Sequence, residues 1–320
     1  MASNKHLIIT IDVEAGPHLQ SADHVDRLIW GKFGDQQLGI GRMMEIAERC
    51  GRKLTFFLDY CETLRYPGAF EEISRYISEH GHDIQLHAHT QFLTDTFWKQ
   101  RGLGPIRVGL DQYSKQHAVV LMDFLTNCAV SMGGKPAVAF RGGAFRYNRS
   151  ILEAMAHFRI PLSFNYNIKT PWQSNNELNR GIFRWSNGVV EVPMSYTNIR
   201  NKMREFEFSS TSSTDFGDRG LVRDYMEQFY AEFGGHGVLV MLLHSWSFLY
   251  REKKDEKAFH YEFKGQQLAE SFEHFLGNLG DDVRVITASE LDGLIKDGVL
   301  KINDCRSIEE VDSMNLRIVP

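Results

Sequence analysis

His6-Leu7-Ile8-Ile9-Thr10-Ile11-Asp12-Val13-Glu14 is a β-branched, apolar run that stops on two carboxylates two residues apart. It reads as a first strand. A secretory signal would need a longer apolar stretch and a small-residue cleavage site behind it. Comparable runs recur at Lys53 to Asp59, Asp83 to His89, Ala137 to Arg141, Leu162 to Asn165, Val189 to Val192, Val238 to His244 and Val283 to Ile286. Between them, Met43 to Arg49, Ala69 to Glu79, Tyr113 to Val130, Ser150 to Phe158, Leu221 to Phe233 and Gln266 to Leu279 carry apolar residues at three-and-four spacing, the period of amphipathic helices. Short strands alternating with such helices write a mostly parallel sheet with crossover helices. The expected class is therefore α/β, either a wrapped barrel or a doubly wound sheet.

Gly51, Gly81 and Gly280 each follow a helix and precede a strand, where a left-handed cap is expected. Between Asn167 and Ser213 the alternation fails and the sequence turns polar, as in Trp172-Gln173-Ser174-Asn175-Asn176. Loops of this length commonly cover or shape a site. No repeat, linker or compositional break divides the chain, so one domain is expected, with Val299 to Pro320 as an appended tail. The 320 residues are 42% hydrophobic and 24% charged, which excludes a disordered, collagen-like or coiled-coil chain. A formal net charge of −5 supplies no global positive field, so neither nucleic acid nor an anionic membrane surface is an expected partner. Cys50, Cys61, Cys128 and Cys305 are scattered singly, without Cys-x-x-Cys spacing, which fits a reducing compartment. No window approaches eighteen consecutive apolar residues, so no integral membrane segment is expected. A cytoplasmic location is the corresponding expectation.

In α/β sheets the ligand site lies beyond the carboxyl ends of the strands. Four strands end on ionisable residues there: Asp12 with Glu14, His87 with His89, Arg141, and His244. Side chains at i and i+2 of an extended segment share a face, about 6.6 Å apart, so both members of each pair can converge. Two imidazoles and one carboxylate are the ligand set of an open, catalytic zinc site, and Glu14, His87 and His89 would supply it. Each element alone also has a structural reading: a core or surface histidine pair, a capping acid, an arginine holding a carboxylate. Their joint placement favours a shared site, because burying such charges unpaired is costly.

These residues resemble the polysaccharide deacetylases, the NodB-homology group or carbohydrate esterase family four, in order from about His6 to Gly298. The family's first-strand Thr-Phe-Asp-Asp-Gly motif is similar to Thr10-Ile11-Asp12-Val13-Glu14, with the second carboxylate moved one place on. Gly81-His82-Asp83-Ile84-Gln85-Leu86-His87 resembles the second motif, whose two histidines bind metal. Gln91 occupies its second histidine position, and His89 is the substitute. Phe140-Arg141-Gly142-Gly143-Ala144-Phe145 stands for Arg-x-Pro-Tyr without the proline and tyrosine. Leu242-Leu243-His244-Ser245 resembles the late histidine motif. Asn165 to Asn167 occupies the approximate region of a tryptophan-bearing fourth motif.

The resemblance implies a distorted (β/α) barrel over residues 1–298, with 299–320 as a C-terminal tail. It implies a metal-dependent deacetylase of an N-acetylated sugar or polysaccharide precursor, in the manner of members serving bacterial surface-polysaccharide (O-antigen) synthesis. Asp12 would be the catalytic base, Arg141 its partner, His244 the general acid, and Glu14, His87 and His89 the ligands of one divalent ion, expected to be zinc. The Ala144 amide corresponds to an oxyanion donor. Trp172 and Trp246 are candidate sugar contacts near the polar loops and His244, as are Trp185, Tyr196 and Phe248, for most of which core packing is the alternative. His18 could reach the site or be a plain loop residue. The cluster from Arg200 to Arg204 could attract an anionic substrate or be a solvated loop. Two other readings stand beside the deacetylase. One is an amidohydrolase or phosphoesterase, whose His-x-His usually lies on the first strand. The other is a catalytically silent carbohydrate-binding barrel, suggested by Gln91 and the missing Pro-Tyr.

Overall fold

The computed structural model describes residues 5–14, 24–106, 108–168, 181–209, 216–234, 237–253, 259–262 and 265–315. The strands that matter for the site are β1 (Lys5–Val13), β2 (Thr55–Asp59), β3 (Asp83–Ala88), β4 (Ala139–Gly142), β5 (Leu162–Ser163), β6 (Phe183–Trp185), β7 (Val190–Glu191), β8 (Gly237–His244), β9 (Val283–Val285) and β10 (Cys305–Arg306). The main helices are α1 (Ile40–Arg49), α2 (Ala69–Glu79), α3 (Lys115–Gly133), α4 (Arg149–His157), α5 (Arg219–Glu232), α6 (Gln266–Gly277) and α7 (Ala288–Lys296). The expected alternation of strand and helix is present along the chain. Contacts divide the chain into two compact units. One takes the described residues of Met1–Phe56, His80–Asp83 and Ser195–Thr287, the other those of Phe57–Glu79, Ile84–Met194 and Ala288–Pro320.

In the first unit β1 lies between parallel partners. Its register with β8 runs from Lys5↔Gly237 to Asp12↔His244, and with β9 from Lys5↔Val283 to Leu7↔Val285. Residues 6–13 of β1 are buried on both faces, which is why the run reads as continuous rather than alternating. The Thr10 hydroxyl donates to the Met241 carbonyl at 2.8 Å, so the one polar side chain at its centre is satisfied. Helix α1 buries Ile40, Met43, Met44 and Ala47 at helical spacing, and Gly51 behind it takes a φ of 65°. Helix α5 starts where the Asp218 carboxylate accepts the Leu221 N–H at 3.0 Å.

In the second unit the order is β2-β3-β4-β5-β7-β6-β10. Pairs β3–β4, β4–β5, β5–β7 and β6–β10 are parallel, and β6–β7 is antiparallel. Helix α3 is capped by the Ser114 hydroxyl and stopped by left-handed Gly134. β5 ends at Ser163, two residues short of the expected Asn165. The Asn165 and Tyr166 N–H groups donate to Glu191 Oε1, each at 2.8 Å, rather than to a neighbouring strand. Oε2 of the same carboxylate accepts Trp185 Nε1–H at 3.0 Å. Glu191 is fully buried, and burial pushes its carboxyl up to about 7 against those hydrogen bonds.

One further local expectation needs correcting. Gly280 is not a left-handed cap: α6 ends at Gly277, and the Gly280 carbonyl instead opens a turn by accepting the Val283 N–H at 3.0 Å. The segment after residue 299 supplies β10, whose Cys305 and Arg306 pair with Arg184 and Trp185.

Glu191→Gln is expected to lower stability, by an amount that narrows as pH rises. The unfolded carboxyl ionises near 4.5 and the folded one only near 7, so the wild type alone loses stability across that window. Urea denaturation at pH 5 and pH 8 should show the gap shrinking by about 3 kcal/mol. A pH-independent gap would contradict a buried, protonated Glu191.

Candidate active site

The carboxyl ends of β1 and β8 place three of the expected residues in the first unit. Asp12 and His244 are register partners on adjacent strands, and Glu14 follows one residue beyond β1. Both carboxylates are buried. Ser245 joins the two strand ends: its N–H donates to the Asp12 carbonyl and its hydroxyl to the Glu14 carbonyl, each at 2.9 Å. His244 Nε2 lies 3.9 Å from Glu14 Oε1. The half-buried Trp246 stacks on the His244 ring, with centroids 4.8 Å apart and planes at 23°, and so limits its rotation.

The second unit places the other groups. His87 is within β3, His89 one residue beyond it, and their ring centroids are 5.0 Å apart. His87 Nδ1 is 2.8 Å from the Arg141 carbonyl. A carbonyl only accepts, so Nδ1 carries the proton and Nε2 presents its lone pair, the state a metal ligand needs. Arg141, its register partner on β4, is buried, with its guanidinium 4.4 Å from the Phe57 ring centroid.

Two glycines follow Arg141 for steric reasons. A Cβ on Gly143 would stand 2.6 Å from His89 Nδ1, and one on Gly142 would stand 2.2 Å from the Arg146 carbonyl oxygen. The His89 ring thus lies directly against the Gly143 backbone. Ala144 and Phe145 then adopt left-handed φ values of 53° and 57°, a strained conformation for residues with a side chain. A cavity of about 750 Å³ adjoins them, lined by His89, Gln91, Asp95, Gly143, Ala144 and Arg146 among others. Gln91 is exposed on the turn Thr90–Phe92.

The sequence reading passed over Asp59, the last residue of β2. It is completely buried, and its Oδ1 accepts the N–H of His89 and that of Cys61, each at 3.1 Å. Burial, then the Glu62 charge, push its carboxyl up to about 7, against the pull of His89 and His87. The signal was available: Phe56-Phe57-Leu58 stops on an acid, as the other site strands stop on ionisable groups.

Other expected contacts fall elsewhere. Trp185, Tyr196 and Phe248 are buried core residues. Arg200 is paired with Asp218 at 3.0 Å and Asp224 at 3.3 Å, beside the hairpin Tyr196–Ile199 and Lys202–Glu205, so its charge is matched locally. Trp172 and His18 lie outside the described residues.

No family model and no curated protein matches the sequence. Among solved structures, the chain is similar to a protein assigned as a polysaccharide deacetylase in Mycobacterium smegmatis. Identity is 17%, coverage 94% of this chain and 93% of that one, and the TM-score 0.59. A protein assigned the same way in Pseudomonas aeruginosa PAO1 is 12% identical, with 93% of each chain covered and a TM-score of 0.56. The Puue allantoinase is also 12% identical, over 90% of this chain and 89% of that one, with a TM-score of 0.54. At these identities the likeness concerns the fold. It is α/β, the distorted (β/α) barrel of the polysaccharide-deacetylase type.

The tautomer of His87 is directly measurable. Long-range proton–nitrogen NMR near neutral pH should show Nδ1 protonated and Nε2 bare. Gly143→Ala should shift the His89 ring signals strongly and those of His87 less. Equal, small changes in both rings would contradict the close approach at Gly143.

Proposed function

We propose that the chain is a metal-dependent deacetylase that hydrolyses N-acetyl groups of a sugar or polysaccharide precursor. The observation that carries this reading is the donor set. Glu14 stands buried just past β1 in the first unit, and His87 and His89, with ring centroids 5.0 Å apart, stand at the end of β3 in the second. Two imidazoles with one carboxylate suit zinc, and the proton on His87 Nδ1 leaves its other nitrogen for the ion. A divalent ion bound by them would acidify a water molecule and polarise the acetamide carbonyl.

The remaining steps belong to the chain's own groups. Asp12 takes a proton from the attacking water, with Arg141 as the partner that the motif resemblance assigns to it. The Ala144 N–H donates to the oxygen on which negative charge develops. His244, held by Trp246, protonates the nitrogen as the carbon–nitrogen bond breaks. Hydroxyl ends on the acyl carbon and hydrogen on the nitrogen, so the products are acetate and a free amino sugar. On the motif resemblance alone, the setting is a cytoplasmic precursor in bacterial surface-polysaccharide (O-antigen) synthesis. Among the described residues no helix is long and apolar enough to cross a membrane. Hydrolysis of a non-carbohydrate amide is the second reading, supported by the likeness to an allantoinase.

Purified protein is expected to hold about one equivalent of divalent metal, and chelation should stop acetate release from N-acetylated sugars. His89→Ala should abolish metal retention while Gln91→Ala keeps it. Asp12→Asn and His244→Ala should keep the metal and lower kcat by about 10²- to 10⁴-fold. Failure of the protein to bind added zinc would overturn both hydrolytic readings.

A further inference from the structure

We infer that Asp59 is a positioning residue that fixes His89 for metal binding, an inference that rests on the metal-dependent reading above. His89 stands just past the last residue of β3, where regular ladder pairing has ended. Its N–H is instead taken by Asp59 Oδ1 at 3.1 Å, from the end of β2. The ring on the other side meets the Gly143 backbone, with no room for even one added carbon. Backbone and ring are thus restrained separately, and the imidazole direction follows from the two together.

A simpler role for Asp59 would be to cap the turn Tyr60–Leu64, since Oδ1 also accepts the Cys61 N–H. A cap serves its own turn, however. Here the side chain is wholly buried, and the same oxygen reaches a residue thirty positions along the sequence.

The test is cobalt(II) titration of the full-length chain, followed by visible absorption, for wild type, Asp59→Ala and Asp59→Asn. Far-ultraviolet circular dichroism and Tm of the metal-free proteins are measured alongside. Asp59→Ala should weaken cobalt affinity by about ten- to a hundredfold and alter the ligand-field bands. Asp59→Asn keeps an oxygen that accepts both N–H groups, so it should bind within about threefold of wild type. Wild-type affinity and spectrum in Asp59→Ala would overturn the positioning role and leave the metal reading intact. If Asp59→Ala does not fold, Asp59→Asn decides alone: loss of cobalt as complete as in His89→Ala would overturn the inference. A wild-type protein that binds no cobalt would overturn both this role and the metal-dependent reading beneath it.

Discussion

Parallel strands that end on buried ionisable groups are the constraint on which the rest of this structure depends. Within a strand, the backbone is satisfied by its neighbours and the side chains can be apolar. At the carboxyl end the ladder stops, and polar atoms must find partners or remain costly. The chain answers with local devices. Ser245 ties the carbonyls of Asp12 and Glu14, the Arg141 carbonyl fixes the His87 ring, and Asp59 receives the His89 amide. Each device also orients a group that the proposed hydrolysis would use.

The same constraint explains the two glycines that follow Arg141. The His89 ring lies on the backbone at Gly143, where any side chain would collide. A pair of glycines is the compatible choice. The strained Ala144 and Phe145 that follow carry the backbone away and open the cavity beside His89. Gly143 and the placement of the His89 ring therefore belong together as one steric fit.

Much of this was legible in the sequence. The unbroken burial of β1, the helical spacing in α1 and the polar residues at strand ends all follow from periodicity and placement. The parts that were not legible depend on contacts distant in sequence. Asn165 leaves the strand because Glu191, twenty-six residues on, captures its amide. The strand β10 is only two residues long, too short to show a period, yet it pairs with Arg184 and Trp185. Asp59 ended a strand as clearly as His244 did, but its role appears only once the His89 amide is seen to meet it. Local pattern reveals elements and candidates; which oxygen receives which N–H is set by the tertiary fold.

The central claim is that one divalent ion is gripped by Glu14, His87 and His89. X-ray absorption at the zinc edge of the loaded protein, compared with His89→Ala, tests it most directly. The account predicts two imidazoles and light-atom oxygen donors at about 2.0–2.2 Å, with one imidazole lost in the variant. Sulfur scattering, or an unchanged shell in His89→Ala, would contradict it.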